Sequence, residues 1–215
     1  MRNIKHIILI PVFNDWKSLN KLLLNINSVF INQKKIKNEI LIVNDNSSQK
    51  INISRKKFKT IKKINIITLY KNFGSQKAIA IGLKYLQKRK GEFFITVMDG
   101  DGEDGPKYVK KMLSKSLKYN DYIITSNRLK REESWLVILL YKIHLCITFI
   151  FTLKWISFGN FSTFHNKNLT RLLSNNNSWF AHSSSVIKNC KIKRFYSKRE
   201  KRYYGESKLG LLSLI

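Results

Sequence analysis

Short hydrophobic runs alternate with amphipathic segments along the first part of the chain. Five runs predict β-strands, because each is short, apolar and followed by polar or small residues. They cover residues 5–13, 39–45, 64–70, 92–99 and 121–126. The alternation of these runs with helical patterns predicts an α/β fold with a mostly parallel sheet flanked by helices.

Three helices are predicted between these strands. One follows the first strand, one follows the third, and Pro106 suits the first turn of another after the fourth. Apolar residues recur at helical spacing at Leu19, Leu22, Leu23, Ile26 and Phe30, and again at Ile79, Gly82, Leu83 and Leu86. Ligands of parallel sheets bind beyond the carboxyl ends of the strands, which are polar here. We therefore expect the functional site at that edge.

A long apolar segment follows the fifth strand. Residues 135–155 approach the length of a membrane span, but Lys142 and His144 lie near the middle. Because a charged group is costly at bilayer depth, the segment predicts one or two amphipathic helices at the membrane interface, near residues 134–157. An ordinary pair of core helices is the alternative.

Composition supports one folded domain over residues 1–215. Hydrophobic residues make up 43% of the 215, which is enough for a single core. Cys146 and Cys190 lie far apart and offer neither a disulfide framework nor a zinc site, which fits a reducing cytoplasm. A buried first strand explains the apolar N-terminal run better than a signal peptide does.

The net charge is strongly positive. The 41 Lys and Arg residues against 13 Asp and Glu give a formal charge of +28. Such a charge favours anionic partners, namely nucleic acid, acidic lipid or a phosphorylated substrate, although codon bias also spreads lysines over a solvated surface. The basic run at residues 188–202 has the same two interpretations, a solvated face or a surface that holds anionic lipid.

The most informative local motif is DGDGED at residues 99–104, directly after the fourth predicted strand. Asp99 and Asp101 can face one hard cation, because Mg²⁺ and Mn²⁺ prefer a few carboxylates together with phosphate oxygens. The motif therefore predicts a metal-bridged diphosphate. The alternative is an acidic turn before the helix at Pro106, with Asp104 as its N-cap.

A second polar motif, VNDNSS, ends the second predicted strand. Asp45 can accept a hydrogen bond from a nucleobase N–H, and the small residues around it leave room for a ligand. Asn-Asp-Asn-Ser is also ordinary turn chemistry. Taken alone, this motif leaves both interpretations open.

Together these motifs resemble the ordered series of family 2 glycosyltransferases, with most similarity to the dolichyl-phosphate-mannose synthase and bactoprenol glucosyltransferase branch. The motifs are IPVFND from Ile10, VNDNSS from Val43, KNFGSQKAIAIGL from Lys71, VMDGDGEDGPKYV from Val97, SNRLKRE from Ser126 and RYYGESK from Arg202. The resemblance implies a Rossmann-like GT-A fold. It also implies a donor and metal part over residues 1–133 and an acceptor and membrane-proximal part over residues 134–215.

The resemblance assigns roles residue by residue. The positions matched to nucleotide-sugar binding are Pro11, Asn14, Asp45, Asn72, Gly74, Lys77, Asp99 and Gly100, and those matched to the metal are Asp99, Asp101 and Glu103. Arg128 and Arg131 match the basic pair after the fifth strand. Arg202 and Lys208 match a flexible loop over the phosphates.

The implied reaction is inverting transfer of a sugar from a UDP- or GDP-sugar to a polyprenyl phosphate. It would use Mg²⁺ or Mn²⁺ in a cytoplasmic protein peripherally associated with the inner face of the cell membrane; a homo-oligomer is left open. A lipid phosphate is already largely anionic at neutral pH and needs no strong base. If the acceptor is a saccharide hydroxyl of a cell-surface glycan, Asp104 is the candidate base.

Two other functions fit part of the sequence. A basic nucleic-acid-binding protein fits the charge, but it leaves the carboxylates at the strand ends unexplained, so we expect no nucleic-acid partner. A scaffold without turnover is suggested by departures from the family pattern. Asn46 replaces a Gly, Gly105 stands where Pro is common, and Ser162 stands where an Arg is expected.

Overall fold

The fold is described by a computed structural model for residues 3–53, 58–128, 158–174, 179 and 181–205. The strands are β1 (Ile4–Val12), β2 (Ile36–Asn44), β3 (Ile61–Thr68), β4 (Phe94–Val97), β5 (Tyr122–Arg128), β6 (Phe158–His165) and β7 (Lys191–Ser197). The helices are α1 (Trp16–Val29), α2 (Ser75–Gln87), α3 (Pro106–Lys118), α4 (Leu169–Leu172) and α5 (His182–Asn189), with a 3-10 turn at Asn166–Asn168.

The described strands form one sheet in the order β3-β2-β1-β4-β6-β5-β7. Neighbouring strands are parallel except at β6, which runs antiparallel to both β4 and β5. This arrangement confirms the predicted α/β fold with a mostly parallel sheet. The carboxyl ends of β1, β2 and β4 therefore meet at one edge, where the polar motifs lie.

A hydrophobic core covers each face of the sheet. On one face α1 and α3 pack against residues such as Ile8, Ile10 and Ile42. On the other face α2, α4 and α5 pack against Leu9 and Val43. Consecutive residues of the central strands point to opposite faces, so a strand covered on both sides is apolar throughout. This explains why β1 and β2 appear in the sequence as continuous hydrophobic runs.

The five predicted strands do not include β6 or β7, because neither sequence contains the continuous apolar run that marks the other strands. β6 carries Ser162 and Thr163 in its buried middle, and their partners are distant in sequence, so no apolar run marks it. β7 is an edge strand that pairs only with β5 among the described strands. Its lysines are typical of sheet edges, where charge discourages further pairing.

A row of buried polar side chains crosses four adjacent strands. His6 on β1 bonds through Nδ1 to Asn38 Oδ1 on β2 and through Nε2 to Thr96 Oγ1 on β4, at 2.8 Å each. Thr96 in turn bonds to Thr163 on β6 at 2.8 Å. A strand that slipped by one residue would leave these buried groups unpaired, so the row favours the observed register.

The expected interfacial helices at residues 134–157 lie outside the described residues. Within the described part, no helix is both long enough and apolar enough to cross a membrane. The prediction of membrane contact therefore stays a prediction.

Candidate functional site

An open cleft lies at the carboxyl edge of the sheet, where β1, β2 and β4 end. Its volume is about 150 Å³. It is lined by Pro11, Val12, Phe13, Asp15, Asp45, Ser75, Asp99, Gly100, Asp101 and Arg202. The predicted edge is therefore the one that contains the cavity. Asp99 and Asp101, two of the three aspartates of the acidic motif, line it.

The loops after β1 and β2 are tied together by Asn14. Its backbone N–H donates to Ser47 Oγ at 2.9 Å, and its side-chain oxygen accepts from Ser48 and from the Gln49 N–H. Asn14 and Asn46 both have positive φ, 49° and 58°. Asn tolerates this left-handed backbone better than most residues, which explains how Asn46 stands where the family pattern has Gly.

Asp45 anchors the loop that leads into α2. Its two carboxylate oxygens accept the N–H groups of Phe73 and Gly74, both at 2.8 Å. The Asn72 side chain also accepts from the Gly74 N–H, and Gly74 has a φ of 86° directly before the helix. Asp45 thus lines the cleft and shapes its wall. Asn14 and Asn72 support that wall without being among the lining residues.

The acidic motif forms a turn between β4 and α3. Asp99, Gly100 and Asp101 line the cleft, whereas Asp104 is 8% exposed and accepts the Asp99 N–H at 3.2 Å. The alternative assignment of Asp104 as the N-cap of α3 was wrong. Gly105 is the N-cap residue and makes no side-chain capping bond, while Pro106 occupies the first turn as predicted.

Burial and neighbouring negative charge change the protonation of Asp101. Burial, reinforced by the charge of Asp99, raises the pKa of Asp101 to about 6, although it accepts the Glu103 N–H at 3.0 Å. Two carboxylates held close together in this way favour a cation between them. The donor chemistry of the pair therefore suits Mg²⁺ or Mn²⁺.

A strap, defined as residues 198–204, lies across the acidic turn. The Glu200 N–H donates to the Glu103 carbonyl and the Tyr203 N–H donates to the Asp101 carbonyl, both at 2.9 Å. Asn25 on α1 donates to the Tyr203 hydroxyl at 2.8 Å. The strap is thus hydrogen-bonded both to the turn and to α1.

Two glycines of the turn make room for the strap. A Cβ on Gly102 would overlap the Tyr203 ring, and a Cβ on Gly105 would lie 2.5 Å from Glu200 Oε1. Gly102 also has a φ of 93°, which favours glycine on its own account. The contact at Gly105 involves only the carboxylate end of the flexible Glu200 side chain, so the steric requirement for glycine is firm at Gly102 alone.

Arg202 carries the positive charge of the strap into the cleft. Its guanidinium pairs with Asp101 at 3.1 Å and also with Asp15. The cleft thus already holds one positive group, the guanidinium, beside the carboxylates of Asp15 and Asp101. The predicted placement of Arg202 near the diphosphate stays a prediction, but its position in the cleft is compatible with it.

The Glu103 side chain, predicted as a third metal ligand, contacts the strap instead of the cleft. Its carboxylate pairs with Arg199 of the strap, and Glu103 is not among the residues that line the cleft. Across the described ranges, no group of three or more His, Cys, Asp and Glu side chains is placed to hold a metal ion. A cation here would depend on Asp99 and Asp101 together with oxygens of a ligand or water.

Of the remaining predicted residues, only Lys77 has a described side chain. Lys77 is half-buried in the first turn of α2 and does not line the cavity. Arg128 ends β5. Arg131 and Lys208 fall outside the described residues.

The sequence analysis missed several residues of the site. Val12, Phe13, Asp15 and Ser75 line the cleft, and Asn160 on β6 donates to Asp99 Oδ1 at 3.2 Å. The first three adjoin Pro11 and Asn14 in the IPVFND motif, so their proximity was available as a signal. Asn160 had no such signal, because β6 was not recognised as a strand.

A family model described as Glycosyl transferase family 2 matches residues 7–188. The uncharacterized glycosyltransferase YkcC of Bacillus subtilis (strain 168) is 32% identical over 115 residues, 53% of this chain and 34% of the relative. The uncharacterized glycosyltransferase sll0501 of Synechocystis sp. (strain ATCC 27184 / PCC 6803 / Kazusa) is 29% identical over 129 residues, 60% and 39% respectively. The chain thus aligns with little more than a third of each relative.

Solved structures share the fold. The crystal structure of S. aureus TarS 1–349 superposes with a TM-score of 0.54 at 15% identity, covering 91% of this chain and 60% of that one. The same TarS fragment in complex with UDP-GlcNAc also gives 0.54, at 16% identity, with 94% and 60% covered. At such identities the likeness establishes the GT-A fold alone.

Proposed function

Because the chain belongs to glycosyl transferase family 2, we propose that it transfers a sugar, with inversion, from a nucleoside-diphosphate sugar to a polyprenyl phosphate. The observation that carries the proposal is the cleft in which Asp99, Asp101 and Arg202 meet at the carboxyl ends of β1, β2 and β4. Pairs of carboxylates beside a basic group are suited to a diphosphate that arrives with a divalent cation.

The donor side of the proposal rests on the wall of the cleft. Pro11, Phe13 and Asp45 provide an apolar surface and a fixed carboxylate, the features that a nucleoside requires. The similar TarS structure in complex with UDP-GlcNAc supports a UDP-sugar as the first donor to test. Asp45 can still interact with a base, since each carboxylate oxygen has more than one acceptor site.

Charge stabilisation is the chemical task of the strap and the acidic turn. Departure of the nucleoside diphosphate leaves negative charge that must be stabilised within the cleft. A Mg²⁺ or Mn²⁺ ion held by Asp99 and Asp101 would supply Lewis-acid stabilisation of that charge. Arg202 would exchange its bond to Asp101 for one to a phosphate oxygen, because guanidinium binds both groups well.

The acceptor is proposed to be a phosphate because the carboxylate considered as the base for a hydroxyl acceptor is not among the residues that line the cleft. Asp104, the candidate base for a hydroxyl acceptor, is buried and accepts the Asp99 N–H. A phosphate monoester is already largely ionised at neutral pH and needs no base. Ser162 stands where the family pattern has an Arg, and its side chain is fully buried, so basic residues elsewhere must recognise the acceptor phosphate.

A transfer assay tests the reaction. Radiolabelled UDP- and GDP-sugars are incubated with the protein and Mn²⁺, together with a polyprenyl phosphate in detergent or the matching polyprenyl alcohol. Label should enter the lipid fraction only with the phosphate. Asp101→Asn should abolish transfer, whereas Asp121→Asn, at an exposed aspartate paired with Lys167, should not. Label that appears on an added saccharide, or with the alcohol, would overturn the proposed acceptor.

A further inference from the structure

A chain of side-chain amides connects Asp99 to the interior of the protein. Asn160 Nδ2 on β6 donates to Asp99 Oδ1 at 3.2 Å. The oxygen of the same amide accepts from Gln76 Nε2 on α2 at 3.0 Å. The oxygen of Gln76 in turn accepts the backbone N–H of His182 at 2.9 Å. Residues of three separate elements, β6, α2 and α5, are therefore linked in series to one carboxylate of the acidic turn.

The direction of the hydrogen bonds in this series of amides is set by its inner end, at the His182 N–H. A backbone N–H can only donate, so the Gln76 oxygen must face His182 and its NH₂ group must face Asn160. Asn160 must then present its oxygen to Gln76 and its NH₂ group to Asp99. The orientation of both amides thus follows from the network itself, and the outermost group is a donor facing a carboxylate.

Asn160 is held by its backbone as well as by its side chain. The Ser162 hydroxyl donates to the Asn160 carbonyl at 3.1 Å, and Ser162 Oγ lies 2.9 Å from His182 Nε2. Since the hydroxyl has one proton, Nε2 carries the hydrogen of the second bond. Burial lowers the pKa of His182 to about 4, so the ring is neutral at physiological pH. The bonds close a ring through Asn160, Gln76, His182 and Ser162.

We propose that Asn160 is a positioning residue that fixes the Asp99 carboxylate for cation binding, and that Gln76 sets the orientation in which Asn160 acts. This inference deepens the proposed function and rests on it. Hydrogen bonds to a metal-binding carboxylate restrict its rotation and select the oxygen presented to the ion. Ser162, which replaces the expected Arg, then has a role in the same ring, because it holds the strand segment that carries Asn160.

Gln76→Glu tests the polarity with almost no change in volume. The new carboxylate can still accept the His182 N–H, but it cannot donate to Asn160. The Asn160 amide must then turn its NH₂ group inward and its oxygen toward Asp99, where two acceptors repel. Asn160→Ala removes the donor outright and provides an independent second variant. Gln87→Glu, at the exposed last residue of α2, is the matched charge control.

Binding of UDP is measured by calorimetry on each full-length variant, with and without Mn²⁺, at mildly alkaline pH. GDP replaces UDP if the wild-type protein prefers it. Loss of a group that orients a metal ligand typically weakens metal affinity by about tenfold or more. Gln76→Glu and Asn160→Ala should therefore lose about tenfold in Mn²⁺-dependent affinity, while metal-free nucleotide binding and the Gln87→Glu control stay unchanged.

The outcomes separate this inference from the proposed function. If the wild-type protein gains affinity from Mn²⁺ and both variants gain equally, the positioning role is overturned and the proposed function stands. If neither UDP nor GDP binds more tightly with Mn²⁺ to the wild-type protein, the proposed function fails and the inference fails with it. Equal loss of metal-free and metal-dependent binding would mean that the ring only maintains local structure, which also overturns the inference.

Discussion

His6 and His182 are buried, and within the described ranges their rings bond to amide and hydroxyl groups rather than to a carboxylate. Burial lowers the pKa of each to about 4, from an ordinary value of 6.5. The neutral ring of His6 connects β2 and β4, and that of His182 connects α5 and β6. Protonation of either ring would place an unpaired charge in the core, so both side chains couple folding to pH.

Stability should therefore fall as pH drops from about 6.5 to 4, because the unfolded chain binds protons that the folded histidines do not accept. Each histidine contributes up to roughly 3 kcal/mol to this loss. Asp101 acts in the opposite direction, since its raised folded pKa favours the folded state as pH falls. Urea unfolding across this pH range measures the sum.

His6→Gln isolates one histidine. The substituted side chain cannot be protonated, so the decrease in unfolding free energy between pH 6.5 and 4 should shrink by roughly 3 kcal/mol. Any packing defect would lower the whole curve without changing its slope. Curves of equal slope for the variant and the wild-type protein would show that His6 does not remain neutral in the fold.

The strap contributes to the wall of the cleft through Arg202, so its docking on the acidic turn affects the site. Its contacts with the acidic turn depend on the absence of a side chain at Gly102, where a Cβ would overlap Tyr203. Gly91 has a similarly positive φ of 86°, but nothing lies within 4 Å of its Cβ position. Both glycines therefore have the positive φ that favours glycine, but only at Gly102 would a Cβ collide with the strap.

Gly102→Ala should release the strap, whereas Gly91→Ala should not. Both substitutions are expected to lower stability by about 1 kcal/mol through the positive φ. Only the first should speed amide hydrogen exchange at Glu200 and Tyr203, whose N–H groups bond to the acidic turn. Unchanged exchange at these two amides in Gly102→Ala would contradict the steric account of strap docking.

The elements differ in how far the sequence predicts them. β1, β2 and α2 follow from local hydrophobic patterns, and their predicted buried positions, including Leu83 and Leu86, are buried in the structure. β6 does not follow, because Ser162 and Thr163 satisfy their polar groups through residues far away in the chain. The site shows the same difference. Asp99 and Asp101 can be predicted from one motif, whereas a contact between separate elements, such as that of Asn160 with Asp99, cannot.

The positions of the basic side chains in the whole molecule say more about function than the net charge does. Most lysines lie on the outside of the described part, but one basic side chain, Arg202, reaches into the cleft between Asp15 and Asp101. The cleft therefore combines carboxylates for a cation with an arginine for an anion. Neither a nucleic-acid surface nor an inert scaffold requires that combination.

Calorimetric titration of UDP and GDP into the wild-type protein and Asp101→Ala, with and without Mn²⁺, tests directly whether a cation joins the nucleotide to the acidic turn. One nucleotide should bind the wild-type protein at least about tenfold more tightly with Mn²⁺, because the ion links its phosphates to the two aspartates. The variant should fold normally and lose that gain. Equal affinity with and without the ion, in both proteins, would contradict a cation-bridged diphosphate at the end of β4.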